Sequence, residues 1–143
     1  MKVVKILLIT MIIYVLASCA TTPTPLSTPT GKPELIFNDI DKKQVMNLII
    51  KEALESGWGL KSSSDFNLTF SKTAPDAAFI ILGATEIHAK FDFVELGNEV
   101  KVFISAFYYN SKSGQSIHVN PQGGGETDKL LIRIQNTSKL EKK

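Results

Sequence analysis

Hydrophobic and polar positions along this chain follow three different rhythms. Residues 6–17 are apolar almost without a break, interrupted by Thr10 and the amphipathic Tyr14. Val45, Leu48, Ile49 and the pair Glu52 and Ala53 recur at helical spacing, widened by Met46, Ile50 and Leu54. From residue 66 onward the period shortens to two. Phe66, Leu68 and Phe70 alternate with Asn67, Thr69 and Ser71, and Ile87, Ala89, Phe91 and Phe93 alternate with His88, Lys90 and Asp92. Val100, Val102, Ile104, Ala106 and Tyr108 continue that rhythm. Period two marks strands with one buried and one wet face.

These rhythms predict the elements. ELIF, residues 34–37, is a short strand. The helix that follows has Asp41 and Gln44 at capping-box spacing, with Asn38 or Asp39 as alternative caps, and Gly57 as a natural C′ residue. Its broad apolar stripe suits a helix lying against a sheet. Trp58 and Leu60 share one side of a further strand candidate. Residues 86–109 form a long antiparallel hairpin turning at Gly97-Asn98, at the centre of the sheet. Residues 115–119 offer an edge strand, and Pro121 with Gly123, Gly124 and Gly125 breaks regular structure after it.

Two stretches stay open. AAFIILGA, residues 77–84, suits a buried strand or a short apolar helix. Near the C-terminus, Leu130, Leu131 and Ile134 fit a helix capped by Thr127 or Asp128, whereas Leu130, Ile132 and Ile134 fit a strand. The capping residue favours the helix. The expected fold is α+β: an antiparallel β-meander of four to five strands, with a long N-terminal helix packed on one face and a short C-terminal helix.

The N-terminal run is of a different kind. Lys2 and Lys5 precede an apolar core of about a dozen residues, shorter than the roughly 17 to 25 that span a bilayer. It ends at Leu16-Ala17-Ser18-Cys19, which holds the chain's only cysteine. This junction resembles that of bacterial prolipoproteins, in which a small residue precedes an obligatory cysteine. The resemblance implies cleavage between Ser18 and Cys19, a diacylglyceryl group on the Cys19 thiol and an acyl group on its new amino terminus. The thiol is the nucleophile that such a modification needs. In a Gram-negative host, Ala20 after the cysteine implies the outer membrane, facing the periplasm. The chain then divides into a signal peptide at 1–18, a Thr/Pro-rich tether at 19–32, one small domain at 33–140 and a frayed tail at 141–143. TTPTPLSTPTGK, residues 21–32, is an extended, solvated spacer.

Charge alters the picture only by exclusion. The chain has 16 basic and 14 acidic side chains, and loss of Lys2 and Lys5 with the signal leaves 14 of each. Arg133 is the sole arginine, so no basic stripe marks a nucleic-acid surface.

Candidate chemistry is sparse. His88 and His118 are the only histidines, thirty positions apart, and zinc needs three or four converging ligands. His88 reads as a surface residue on a strand's polar face. Ser62-Ser63-Ser64-Asp65 reads as a polar turn rather than a nucleophile cluster. The triple glycine lacks the lysine of a phosphate loop. No catalytic residue, metal or cofactor is expected beyond the acyl groups on Cys19.

One feature points toward a partner. Phe103, Phe107 and Tyr109 lie on the strand face opposite Val102, Ile104 and Tyr108, so both faces carry apolar side chains. Either residues 77–84, the C-terminal helix or another copy covers this second face, or it is a recognition patch together with Trp58. ALESGWGLKSSSDFNLTFSK and LGNEVKVFISA also resemble, over residues 45–109, a group of small envelope lipoproteins not generally known as enzymes. QGGGETD departs from them. The expectation is a non-enzymatic lipoprotein that binds or scaffolds an envelope protein, or self-associates. The alternatives are a small module for an apolar or cell-wall ligand, and a hydrolase or inhibitor. The last would need a cleft bringing His88 or His118 against a carboxylate or serine.

Overall fold

The structure, a computed structural model, describes residues 33–140; the signal peptide, the junction at Ser18 and Cys19, and the tether therefore lie outside the described residues. Element order is β1 (Glu34–Asn38), α1 (Lys42–Glu55), β2 (Gly59–Ser63), β3 (Asn67–Thr73), α2 (Asp76–Leu82), β4 (Glu86–Leu96), β5 (Glu99–Tyr109), β6 (Ser116–Val119) and α3 (Glu126–Leu140).

The local signals act where the pattern placed them at α1. The Asp41 side chain accepts from the Lys43 amide at 2.7 Å, and Gln44 Oε1 accepts from the Asp41 amide, completing the capping box. Val45, Leu48, Ile49, Glu52 and Ala53 are the buried stripe. The chain leaves through Gly57 at φ 79°, and the Trp58 amide donates back to the Ala53 carbonyl, which closes the last turn.

The sheet is antiparallel, in the order β1-β5-β4-β3-β2, with β6 also on β5. β1 pairs the first half of β5, from Glu34 opposite Phe103 to Asn38 opposite Glu99. β6 pairs the second half, from Ala106 opposite Val119 to Tyr109 opposite Ser116. The two short strands thus share one edge of β5 end to end. The long β4–β5 hairpin lies inside the sheet, and β2 forms the far edge.

This corrects the expected fold in three respects. The sheet has six strands, and it is no simple meander, because β1 crosses past three strands in sequence to reach β5. Alternation reveals which residues can form a strand but not which strand they pair with. A single long N-terminal helix does not carry one face. Helices of 14 and 15 residues share the core, the C-terminal one being the longer. Leu130, Leu131 and Ile134 are essentially fully buried in the same cluster as Val45, Leu48, Ile49, Phe70, Phe91 and Val102. That burial draws residues 126–140 into a full helix, entered at Gly125, whose carbonyl accepts from the Lys129 amide, rather than capped at Thr127 or Asp128. Glu126 and Asp128 in the first turn and Lys139 in the last complement its dipole. Arg133 Nε meets the buried Glu52 at 2.5 Å and also pairs with Glu55, joining α3 to α1.

Residues 76–82 resolve as a third, short helix, α2, which starts after Pro75 and stops at Gly83 in the left-handed region, φ 64°. Among its residues only Ala78 is buried; it packs with Ala74, Ala84 and Tyr108.

Candidate functional site

The alternation of β4 and β5 sends two sets of side chains to opposite sides of the sheet. One set joins α1 and α3 in the core. The other includes Glu86, His88, Lys90 and Asp92 from β4 and Phe103, Ser105, Phe107 and Tyr109 from β5, paired in register across the hairpin. No described helix contributes to this second face: α1 and α3 bury their apolar stripes in the core, and α2 packs through Ala78 against Tyr108, a core-side residue. The expected covering of Phe103, Phe107 and Tyr109 by residues 77–84 or by the C-terminal helix is therefore corrected. All three aromatics remain half-buried on a face made of strands alone.

At one end of this face the register concentrates polar and aromatic groups. His88 is opposite Phe107 on β5 and Ser71 on β3, Phe107 is opposite His118 on β6, and Glu86 is opposite Tyr109. His88 Nε2 is 2.6 Å from Glu86 Oε2. Lys61 Nζ donates to the same oxygen at 2.8 Å. The His88 ring lies 5.0 Å from Phe107 and 5.1 Å from Tyr109, centroid to centroid, and Phe107 lies 5.9 Å from His118. Lys61 also stands 5.9 Å from the Tyr109 centroid, within cation–π range. The Lys61 ammonium, and then the hydrogen bond from His88, hold the Glu86 carboxyl below its ordinary value, against a smaller opposing effect of burial.

His88 is not the surface residue that its place on a polar strand face suggested. It is 7% exposed, enclosed by Phe107 and Tyr109 and bonded to Glu86. Trp58 also moves. It is 3% exposed and belongs to the core, so it is no part of a partner surface. The close of α1 at Gly57 turns its ring inward. Lys61 was not singled out from the sequence. It reaches the cluster from β2, at the point where the β2–β3 register slips between Leu60 and Ser62 and leaves Lys61 without a cross-strand partner. An irregularity of that kind leaves no mark in hydrophobic pattern. Glu86 was visible as a neighbour of His88 at period two, but its pairing with Lys61 needed the three-dimensional register.

Chemically, this cluster offers a fixed carboxylate, an ammonium, an imidazole and two aromatic rings on an uncovered sheet face. His88 and Glu86 are in contact, as a hydrolase would require, but they lie on a sheet face. Neither residue lines either of two cavities in the described domain. One, of about 490 Å³, is a groove between Phe37, Ile40 and Leu48 with Asp39, Asn47, Lys51 and Ser138 around it. The other, of about 260 Å³, lies by Ile87, Tyr108, Pro121 and Thr127. Among the described residues, no three His, Cys, Asp or Glu side chains converge as a metal site.

Compared with known proteins, the chain matches no family model, and it matches no curated protein at a significant level.

Proposed function

We propose that this chain is a non-enzymatic lipoprotein, anchored through acyl groups on Cys19, whose sheet face binds a protein of the envelope. In a Gram-negative host it would sit on the periplasmic side of the outer membrane. The Leu16-Ala17-Ser18-Cys19 junction behind a short apolar run supports the anchor. The observation that carries the binding role is the uncovered sheet face, where Phe107 and Tyr109 stand beside Lys61, Glu86 and His88 and Phe103 lies farther along the same face opposite Asp92. Aromatic rings within a rim of charge are what a protein interface uses for anchoring and for orientation. A non-catalytic role accords with Glu86 being engaged by Lys61 as well as by His88.

Two experiments test this. Intact mass of the membrane-extracted protein, beside Cys19→Ser, tests the anchor: the expected mass begins at Cys19 with acyl chains and loses them in the variant. A photo-crosslinking amino acid at Phe107 or Tyr109 tests the face in membranes from the native host. A discrete adduct from these positions, and none from Lys129 on α3, is expected. Equal yields from all three would refute the assignment.

The groove at Phe37, Ile40 and Leu48 favours a second reading, a module for a small apolar or cell-wall ligand, since its volume lies within the range of small-molecule sites. Protection of Leu48 and Asn47 signals on adding muropeptide or lipid, with the sheet face unchanged, would support it.

A further inference from the structure

α2 exposes four consecutive apolar side chains. Phe79 is 56% exposed, Ile80 78%, Ile81 77% and Leu82 39%. No charged residue occurs between Asp76 and Glu86. The core does not claim these side chains: Ala78 is the one residue of the helix that is buried. Contiguous apolar exposure of this kind marks an interaction surface.

The form of the patch distinguishes its occupant. A protein groove reads a helix through one stripe of anchors at i, i+3, i+4 and i+7. α2 has seven residues and is too short to present such a stripe. Instead Phe79 to Leu82, at about 100° per residue, fan across roughly 300° of the helix circumference. A knob that is apolar in nearly every outward direction suits a medium that is apolar in every direction. Among the described residues no helix is long and apolar enough to cross a membrane, so α2 would dock on a bilayer rather than span it.

Chain length supplies the bilayer. The described domain begins at Pro33, whose carbonyl accepts from the Ile104 amide halfway along β5. From Cys19 to that point there are about 14 residues, a reach of at most about 50 Å. α2 joins β3 to β4 at the end of the sheet where Thr73, Glu86 and Tyr109 align. Tyr109 lies five residues beyond Ile104, about 17 Å at strand rise. The tether is therefore more than long enough for α2 to touch the membrane that holds Cys19. We propose that α2 is a second membrane contact: Phe79, Ile80, Ile81 and Leu82 insert into the outer part of the bilayer that the lipid anchor occupies. This rests on acylation of Cys19. It would orient the domain, with the sheet end at α2 facing the membrane.

The test uses the full acylated chain. Cys19 is consumed by its thioether, so Ile81→Cys carries the sole free thiol, and Lys129→Cys on α3 provides the control. Each is labelled with an environment-sensitive dye and reconstituted into phosphatidylethanolamine–phosphatidylglycerol vesicles with or without doxyl-labelled lipid. The expected result is a blue-shifted dye at position 81, quenched at least twofold by the doxyl lipid, and an unquenched dye at 129. No quenching at 81 in protein whose mass shows the acyl chains overturns the inference and leaves the anchor standing. Self-quenching at 81 that grows with protein density, without doxyl quenching, overturns it in favour of contact between copies. An unacylated mass overturns the anchor and, with it, this tethered docking.

Discussion

Leu131 and Ile132 are adjacent, alike in size and opposite in fate. In a helix Leu131 enters the core with Leu130 and Ile134, whereas in a strand Ile132 would take that place. The structure buries Leu131 completely and leaves Ile132 half-exposed. Replacing Leu131 by alanine removes a fully buried isobutyl group and leaves a hole between α1, α3 and the sheet. The transfer and cavity contributions together cost about 2–5 kcal/mol. Unfolding entropy is about 2.1 cal/mol/K per residue, or roughly 0.23 kcal/mol/K for the domain, so a loss of 3 kcal/mol lowers Tm by about 13 °C. Ile132→Ala loses about half as much apolar burial and regains a few tenths of a kcal/mol in helix propensity, a net cost of at most about 1 kcal/mol. Thermal and urea unfolding of the Cys19→Ser chain, followed by circular dichroism, measures both. A cost for Ile132→Ala equal to or greater than that for Leu131→Ala would refute the placement of α3.

Three further outcomes are expected. Because the Glu86 pKa is lowered in the fold, its contribution is fully present above the ordinary carboxylate value of 4.5 and is lost as pH falls through the lowered value; Glu86→Gln should reduce the urea midpoint at pH 7 and leave it unchanged near pH 2. Equal loss at both pH values would show that the carboxylate charge is not what Lys61 and His88 hold. Gly83→Ala should cost about 1–2 kcal/mol, since φ is 64° and an added Cβ would stand 3.0 Å from the Asn110 side-chain amide; an unchanged melting temperature would contradict that backbone. Asp41→Ala should cost about 0.5–2 kcal/mol by unfolding α1 from its first turn, and Asp41→Asn should recover most of it, as read by urea titration.

Much of the local structure was legible in the chain itself. Helix α1 is written in its capping box and its 3.6-residue stripe, and the β4–β5 hairpin in two alternating runs about Gly97-Asn98, because these features depend on neighbours a few residues away. Pairing is different. That β1 and β6 divide one edge of β5 depends on contacts between residues more than sixty positions apart in the case of Glu34 and Phe103, and no periodicity encodes a partner. The same holds for the site. Alternation placed Phe103, Phe107 and Tyr109 on one face, but only the sheet register brought Lys61, Glu86 and His88 together. Trp58 and Phe79 carry the lesson in opposite directions. Both are large and apolar, and their sequence surroundings do not tell them apart. The close of α1 folds Trp58 into the core, while a short helix that buries only Ala78 leaves Phe79 exposed. Hydrophobicity belongs to the residue; burial belongs to the space that other elements leave around it.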